Sequence, residues 1–446
     1  MLDKCHFIGI GGVGMSGLAT IVLERKAVVS GSDISLSYIT EGLKNRGAEI
    51  NFGHDSRYIK PDMTVIFSTD IKENNPEFVE AMNLQCPVFH RADFLSHLMQ
   101  GYKPLTVTGT HGKTTTTALL AWVLLETGFD PSFAVGGVLP KLQTNARHGL
   151  GNYFVAEADE SDGSFLKYIS HGAIVTNIDL DHMDHFQNED GLIKAFAQFM
   201  ERTDRQNLLF WCHEDERLRK IQTTGISYGF DSDSLLKGSH FRQEGWSVYF
   251  DVSFENKNYP NVAVPLTGRH NALNALAVFG LALKLGIQET EIRNAFKTFC
   301  GVARRCEKKG EKNGILVIDD YAHHPTEILV TLKAIRQATH GRRLVAVFQP
   351  HRFTRTRDCL GSYGKIFDMA DILLITDIYG AGEKPIEGLH ARQILSEVKS
   401  ASPVSCQYVD RFGLVSALQE ILRANDVVVT LGAGDVTRVG TELLSK

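Results

Sequence analysis

Gly109-Thr110-His111-Gly112-Lys113-Thr114-Thr115-Thr116-Thr117 decides how this chain of 446 residues is read. The β-prone run Leu105-Thr106-Val107-Thr108 precedes it, and an apolar stretch from Ala118 to Leu125 follows. A strand, a glycine turn and a helix start in succession aim several backbone N–H groups at one point, where a phosphate fits. There Lys113 sets a point charge between β- and γ-phosphates, and the Thr114 hydroxyl reaches Mg2+. The usual nucleotide loop needs a glycine five residues before Gly112, where this chain has Val107, so the spacing is a shorter variant. The alternative is a glycine turn that only caps a threonine-rich helix, but packing alone gives little reason for Gly-Lys-Thr at such a junction.

Upstream, alternation predicts strands over 6–10, 27–30, 64–68 and 88–90, with helices over 13–25, 76–84 and 92–99. Lys103-Pro104 interrupts that pattern and puts a boundary near residue 101. Downstream, helices over 114–126 and 191–201 alternate with strands over 153–156, 173–177 and 207–211. Short strands between residues 225 and 265, clearest at Trp246-Ser247-Val248-Tyr249-Phe250, predict an antiparallel extension, and helices over 270–285 and 290–299 follow. The charged stretch 304–312 leads to strands over 315–318, 343–348, 372–375 and 427–431 and helices over 326–338, 414–422 and 435–444. Such alternation implies mostly parallel sheets with helices on their faces. The expected fold is α/β in three domains. These are an N-terminal Rossmann-like domain over 1–101, a central P-loop ATPase-type α/β domain with an antiparallel extension over 102–302, and a C-terminal Rossmann-like α/β domain over 303–446.

Composition narrows the function. A hydrophobic fraction of 43% and a charged fraction of 22% are ordinary for a globular protein. Net charge is −5, from 47 basic and 52 acidic residues without a long basic run, which argues against nucleic acid as a partner. Seven scattered cysteines without CxxC pairs fit reduced thiols better than a disulfide framework or zinc site. No apolar run reaches membrane length, and no charged-then-apolar leader precedes the first strand. The expectation is a cytoplasmic protein without membrane insertion, a monomer or homodimer.

Further motifs fall at strand ends. Gly9-Ile10-Gly11-Gly12-Val13-Gly14 matches GxGxxG, with Asp33 ending the next strand. This pattern suits a pyrophosphate at a helix N-terminus and an acid near a ribose hydroxyl, whether the ligand is NAD or a UDP-sugar. Ser68 is a further polar candidate there, or a turn former. Glu157-Ala158-Asp159-Glu160-Ser161-Asp162 and Asp179-Leu180-Asp181-His182-Met183-Asp184-His185 end two further strands. One such acid alone is an ordinary solvated residue, but the cluster beside a phosphate loop suits a metal. Gly268-Arg269-His270-Asn271 opens a helix, where Asn271 either reaches an adenine or caps the helix. Asp319-Asp320-Tyr321-Ala322-His323-His324-Pro325 and Gln349-Pro350-His351-Arg352-Phe353-Thr354-Arg355-Thr356-Arg357 end two strands of the third segment. Together they form a basic pocket for a small carboxylate and a migrating phosphoryl group.

These motifs, in this order and over nearly the whole chain, resemble the Mur ligase family of ATP-dependent amide-forming enzymes in peptidoglycan precursor synthesis. DDYAHHPTE and FQPHRFTRTRD resemble the members that join L-alanine to UDP-N-acetylmuramate. A relative that reattaches a recycled tripeptide resembles the first two domains but differs in the arginine-rich segment. The resemblance implies that Gly9, Gly11, Gly12, Gly14, Asp33 and Ser68 hold the uridine diphosphate. It implies ATP on Gly109, Thr110, His111, Gly112, Lys113, Thr114 and Thr115, with His270, Asn271 and Arg305 near the adenine nucleotide. Mg2+, or Mn2+ in its place, would rest on Thr114 and Glu157, with a second ion on His182. Tyr321, His323, Arg352 and Arg355 would recognise alanine and the transferring phosphoryl group, and Lys113, His182, His323, Arg352 and Arg355 would carry the chemistry. Some members use a carbamylated lysine near the second metal; Lys194, the lysine that follows His182, does not match that position, so no modified lysine is expected. A nicotinamide-dependent oxidoreductase would explain the first glycine motif but leaves the phosphate loop and acidic cluster without purpose. A nucleotide-binding scaffold would bind ATP without turnover.

Overall fold

Strand β1 (Lys4–Ile8) is buried after its first residue, as a central strand covered on both faces should be. The computed structural model describes residues 3–445 apart from 182, 222 and 223. These fall into two units, Met1–Ser239 with Asp251–Val262 and Leu273–Cys300, and His240–Phe250 with Ala263–Ala272 and Gly301–Lys446.

In the first unit, β1 is followed by α1 (Val13–Glu24), β2 (Val28–Asp33), α2 (Tyr38–Asn45), β3 (Glu49–Phe52), β4 (Thr64–Phe67), α3 (Pro76–Asn83), β5 (Val88–His90) and α4 (Arg91–Leu98). The strands form a parallel sheet in the order β3-β2-β1-β4-β5. Chain order reverses at β1, and the crevice at such a reversal is where α/β sheets bind ligands.

The next elements are β6 (Lys103–Thr108), α5 (Lys113–Glu126), β7 (Ser132–Leu139), β8 (Thr144–Arg147), β9 (Tyr153–Glu157) and β10 (Gly172–Val175). Then come α6 (Met183–Phe186), α7 (Glu189–Glu201), β11 (Leu209–Cys212), α8 (Glu216–Arg219), β12 (Ile226–Gly229), β13 (Leu236–Glu244), β14 (Ser247–Phe254), β15 (Lys257–Val264), α9 (Arg269–Lys284) and α10 (Glu289–Thr298). The sheet order is β15-β14-β13-β12-β11-β10-β6-β9-β7-β8, so β6 lies inside, flanked by parallel β9 and β10. Helix α5 is buried from Thr114 to Leu124, and its Trp122 indole N–H donates to the Ala295 carbonyl at 3.0 Å, tying α5 to α10.

The second unit continues with β16 (Glu307–Lys312), β17 (Ile315–Asp320), α11 (Pro325–Ala338), β18 (Leu344–Phe348), α12 (Phe353–Asp358) and β19 (Ile372–Ile375). It ends with α13 (Ala391–Ala401), β20 (Ser405–Tyr408), α14 (Leu414–Ile421), β21 (Val427–Leu431) and α15 (Thr437–Ser445). The order is β16-β17-β21-β18-β19-β20, parallel except for the antiparallel edge strand β16. Strand β18 is buried throughout because both its faces are covered: Leu344, Ala346 and Phe348 join one core, Val345 and Val347 the other.

Several expectations need correction. Lys103-Pro104 does not break the pattern but opens β6, where the Pro104 carbonyl accepts from the His171 N–H at 2.8 Å. Proline is tolerated at a strand's start because only its N–H is missing. The extension expected to be antiparallel starts with parallel strands, since β12 runs parallel to β11 and β13 parallel to β12. Much of the charged stretch 304–312 is β16, which exposes Lys308 and Glu311 to water and buries none of its residues fully, as suits an edge. Elements α2, β3, β7, β8, α6, α8, α12, α13 and β20 were not anticipated.

Phe348 is fully buried, with its ring 5.4 Å from that of Phe367 and 5.9 Å from that of Tyr363. Phe348→Ala should cost about 3–5 kcal/mol, seen as a lower Tm for the C-terminal transition in calorimetry; an unchanged transition would contradict this packing.

Candidate active site

The turn between β6 and α5 has the geometry of an anion cradle. Gly109 has φ +129° and Gly112 φ +83°, values that side chains rarely adopt. A Cβ on Gly109 would lie 2.1 Å from Thr176 Oγ1. Asn177 holds the turn from the end of β10: its carbonyl accepts from Thr110 N–H (3.0 Å), its Oδ1 from His111 N–H (2.8 Å), and its Nδ2 donates to the His111 carbonyl (3.0 Å). His111 Nε2 lies 3.0 Å from Asp179 Oδ2. Thr115 is buried in the first turn of α5.

Lys113 Nζ folds back over this turn and donates to the carbonyls of Gly109 (2.7 Å) and Thr110 (3.2 Å) and to Glu160 Oε1 (2.9 Å), with Glu160 Oε2 in ion-pair contact at 2.7 Å. Burial disfavours the ammonium, but Glu160, Asp159 and Glu157 outweigh it and push its pKa up to about 12. Burial in turn pushes the Glu160 carboxyl up against the pull of Lys113. Thr114 Oγ1 donates to Glu157 Oε1 at 3.0 Å, while Glu157 Oε2 accepts from the Gly136 N–H at 2.7 Å. A Cβ at Gly136 would fall 2.6 Å from that carboxylate. A hydroxyl and a carboxylate in contact beside an anion cradle are the oxygen donors Mg2+ prefers, so these residues fit the ion. His182, expected on a second ion, lies outside the described residues.

At the N-terminal turn, Gly9 has φ +80°, and Gly9 and Ile10 both donate to the Ser32 carbonyl, at 2.8 and 3.0 Å. Asp33 ends β2, and its Oδ2 accepts from the Gly11 N–H at 2.8 Å. Gly12 caps α1, and a Cβ on Gly14 would meet the Arg91 side chain at 3.1 Å. Ser68 follows β4 and accepts at its carbonyl from Ile71 N–H. Beneath this turn lies a polar network that the sequence did not reveal. Fully buried Glu77 accepts from Ser32 Oγ at 2.9 Å and pairs with His6 Nε2 at 2.6 Å and His54 Nδ1 at 2.8 Å. Burial raises the Glu77 pKa, but its partners His6, Ser32 and His54 outweigh that and hold it below the usual value. Ser32 thus braces the glycine turn with its carbonyl while Glu77 fixes its hydroxyl.

In the second unit, Tyr321 and His323 follow β17, Arg352 lies between β18 and α12, and Arg355 is in α12. The Tyr321 ring lies under the Arg304 and Arg305 guanidinium groups, at 5.0 and 4.9 Å. The His323 ring is 5.4 Å from those of both Tyr321 and His351. Burial, with Arg355 nearby, lowers the His323 pKa to about 4, so the ring is neutral near pH 7. Its Nδ1 lies 2.9 Å from the Tyr321 carbonyl and therefore carries the proton, which leaves Nε2 as an acceptor. Arg352 precedes α12 at φ +65°, ψ 137°, a conformation costing a non-glycine residue about 1–3 kcal/mol. Asn271 falls within the first turn of α9 rather than at its cap, and its Nδ2 donates to the Thr267 carbonyl at 2.8 Å. His270 lies beside it, two residues beyond Gly268.

Comparison with known proteins gives these features a context. The chain matches models of the Mur ligase family catalytic domain over residues 4–103, the Mur ligase middle domain over 107–282, and the Mur ligase glutamate ligase domain over 304–434. The UDP-N-acetylmuramate–L-alanine ligase of Protochlamydia amoebophila is 54% identical over 446 residues, covering 100% of this chain and 98% of the relative. The chain belongs to the Mur ligase family. The ligase of the same name from Geobacter sulfurreducens is 42% identical, again over 100% of this Mur ligase and 98% of the relative. Among solved structures, the UDP-N-acetylmuramate–alanine ligase of Thermotoga maritima superposes with a TM-score of 0.86 at 28% identity, covering 99% of this chain and 98% of that one. A murein peptide ligase from Psychrobacter arcticus, at 24% identity and TM-score 0.72 with coverage of 99% and 98%, shares the fold.

Glu77→Gln should test the buried network of this Mur ligase. A carboxylate with a depressed pKa adds stability above its unfolded value and loses it as pH falls through the folded one. The variant should therefore be less stable than wild type by about 1–3 kcal/mol at neutral pH, with the gap closing well below the ordinary glutamate value. A gap in Tm that is constant between neutral and strongly acidic pH would contradict this charge assignment.

Proposed function

We propose that this chain joins L-alanine to the lactyl carboxylate of UDP-N-acetylmuramate with consumption of ATP, through an acyl phosphate, in peptidoglycan precursor synthesis. The full-length 54% identity to a ligase of that name carries the reading. It is supported by the charged Lys113 over its glycine turn and by the aromatic and basic cluster of the second unit.

The chemistry sets three tasks. A carboxylate attacking the γ-phosphate meets another anion, so charge must be neutralised first. Lys113 supplies a fixed positive charge, and Gly109, Thr110, His111, Gly112, Thr114 and Thr115 are assigned to the nucleotide around it, with the Thr110 and His111 N–H groups held by Asn177 to fix the turn. Thr114 and Glu157 would hold Mg2+, and bound Mg2+ would spread the phosphate charge further; His182 is assigned to a second ion. The sugar nucleotide is assigned to Gly9, Gly11, Gly12, Gly14, Asp33 and Ser68, and the adenine nucleotide to His270, Asn271 and Arg305. Alanine falls to Tyr321, His323, Arg352 and Arg355. With a pKa of about 4, His323 is too weak a base to take a whole proton from an ammonium group. Its free Nε2 instead accepts a hydrogen bond from the amine and aligns its lone pair with the acyl carbon. Domain boundaries near residues 101 and 302 are supported by the ends of the family matches at 103 and 282 and the next start at 304. A cytoplasmic site of action agrees with the substrates; no helix among the described residues is long and apolar enough to cross a membrane.

ADP release should depend on UDP-N-acetylmuramate and rise with L-alanine in a panel that also contains glycine, L-serine and the murein tripeptide. Release without dependence on any amine would refute a ligase, and preference for the tripeptide would reassign this one. Lys113→Ala should lower kcat by at least about 10²–10³-fold; near-full turnover would remove the phosphate role from this turn.

A further inference from the structure

After β19 the chain makes a tight turn, Tyr379-Gly380-Ala381-Gly382-Glu383, which holds the segment Pro350–Thr354. The Tyr379 N–H donates to the Pro350 carbonyl and its carbonyl accepts from the Arg352 N–H, both at 2.8 Å. The Tyr379 ring stacks on His351, with centroids 5.9 Å apart and planes 10° from parallel. Ala381 and Gly382 follow one another at φ +49° and +88°, and the Glu383 N–H closes the turn on the Gly380 carbonyl at 2.9 Å. A Cβ at Gly380 would lie 3.0 Å from the Phe353 ring, so a bulkier residue would push the turn off.

The turn delivers one carboxylate. Glu383 Oε1 accepts from Arg352 Nε and Thr354 Oγ1, both at 2.6 Å, and Oε2 accepts from the Thr354 N–H at 3.0 Å. Burial opposes the charge, but these bonds from Thr354 and Arg352 win and lower the Glu383 pKa to about 2. Arg352 cannot relax to an ordinary backbone conformation without breaking its N–H bond to Tyr379. Using only Nε, the pair leaves both Nη nitrogens for another anion, and one fixed plane makes a fork that meets a carboxylate with little loss of rotational freedom.

We propose that Glu383, presented by the Tyr379–Glu383 turn, is a positioning residue that locks the Arg352 guanidinium for the carboxylate of the amino-acid substrate. This rests on the assignment of Arg352 to alanine made above. Glu383→Gln keeps the shape and the bond from the Thr354 N–H but loses the ion pair. It should raise KM for L-alanine about tenfold while kcat and the KM values for ATP and UDP-N-acetylmuramate change less than about twofold. In an Arg352→Gln background the same substitution should add less than about twofold, because both act through one group.

A second readout needs no turnover: NMR of the Arg352 Nε–H in the full chain should show slow solvent exchange in wild type and fast exchange in Glu383→Gln. An unchanged alanine KM, an equal rise in all three KM values, independent effects of the two substitutions, or unchanged Nε–H exchange would each overturn the proposal. If the amine panel selects another amine, the function reading fails, and the Glu383 comparison proceeds with that amine and with the NMR signal.

Discussion

Lys113 carries its charge into a place from which most water has been removed, and Glu160 makes that possible. A buried ammonium without a counter-charge would cost several kcal/mol or lose its proton. With Glu160 on one side and the carbonyls of Gly109 and Thr110 on the other, it keeps the proton, and the turn below keeps its shape. Glu157, three residues before Glu160, faces Thr114 instead. One short acidic stretch at the end of β9 therefore serves two neighbouring groups of the phosphate turn. This follows from β9 lying parallel beside β6 in the sheet.

The same construction recurs in each sheet. At the ends of β1 and β2, Ser32 supports the first glycine turn from behind and is itself fixed by Glu77. At the ends of β17, β18 and β19, Arg352 is held in a strained backbone conformation by bonds to Tyr379 and Glu383. The groups expected to meet ligands are glycine N–H groups, a lysine and arginines, all donors. What holds them is a set of carboxylates and carbonyls, the carboxylates drawn from other elements. Donors aimed at a point repel one another when no anion is there, so a protein that must keep them ready supplies internal acceptors behind them.

How much of this could be read from the residues follows from sequence distance. Lys113, Thr114 and the two turn glycines are local, and a run of nine residues was enough to place them. Strands β5, β19 and β21 fell where apolar runs bounded by turn residues put them. Strand β7 was hidden by Gly136 and Gly137, the first of which leaves room for the Glu157 carboxylate. Strand β16 was hidden by its charges, since an edge needs no apolar pattern. Helix α12 has only six residues and begins after a positive φ, which no propensity anticipates. Helix α13 did carry a signal, with Ala391, Ile394 and Val398 at helical spacing on its buried face. Among the supporting acids, the stretch with Glu157 and Glu160 was legible beside the phosphate loop, but Glu77 and Glu383 were out of reach: His6 and Glu77 are 71 residues apart, and Arg352 and Glu383 are 31 apart.

That division between legible donors and hidden acceptors bears on His323. The resemblance gives His323 a part in the chemistry, and an ordinary histidine, which titrates near neutrality, is able to move a proton. Burial and the neighbouring Arg355 remove that property by making the imidazolium unfavourable, while the Tyr321 carbonyl fixes the tautomer. What remains is a directed lone pair at Nε2. An amine nucleophile must present its own lone pair to an acyl phosphate, and an acceptor on one N–H orients the other side of the nitrogen toward the carbon. A stronger base at this position would need a carboxylate on Nδ1, and the nearest, Glu327, stands 3.7 Å away. The arrangement favours orientation over proton abstraction.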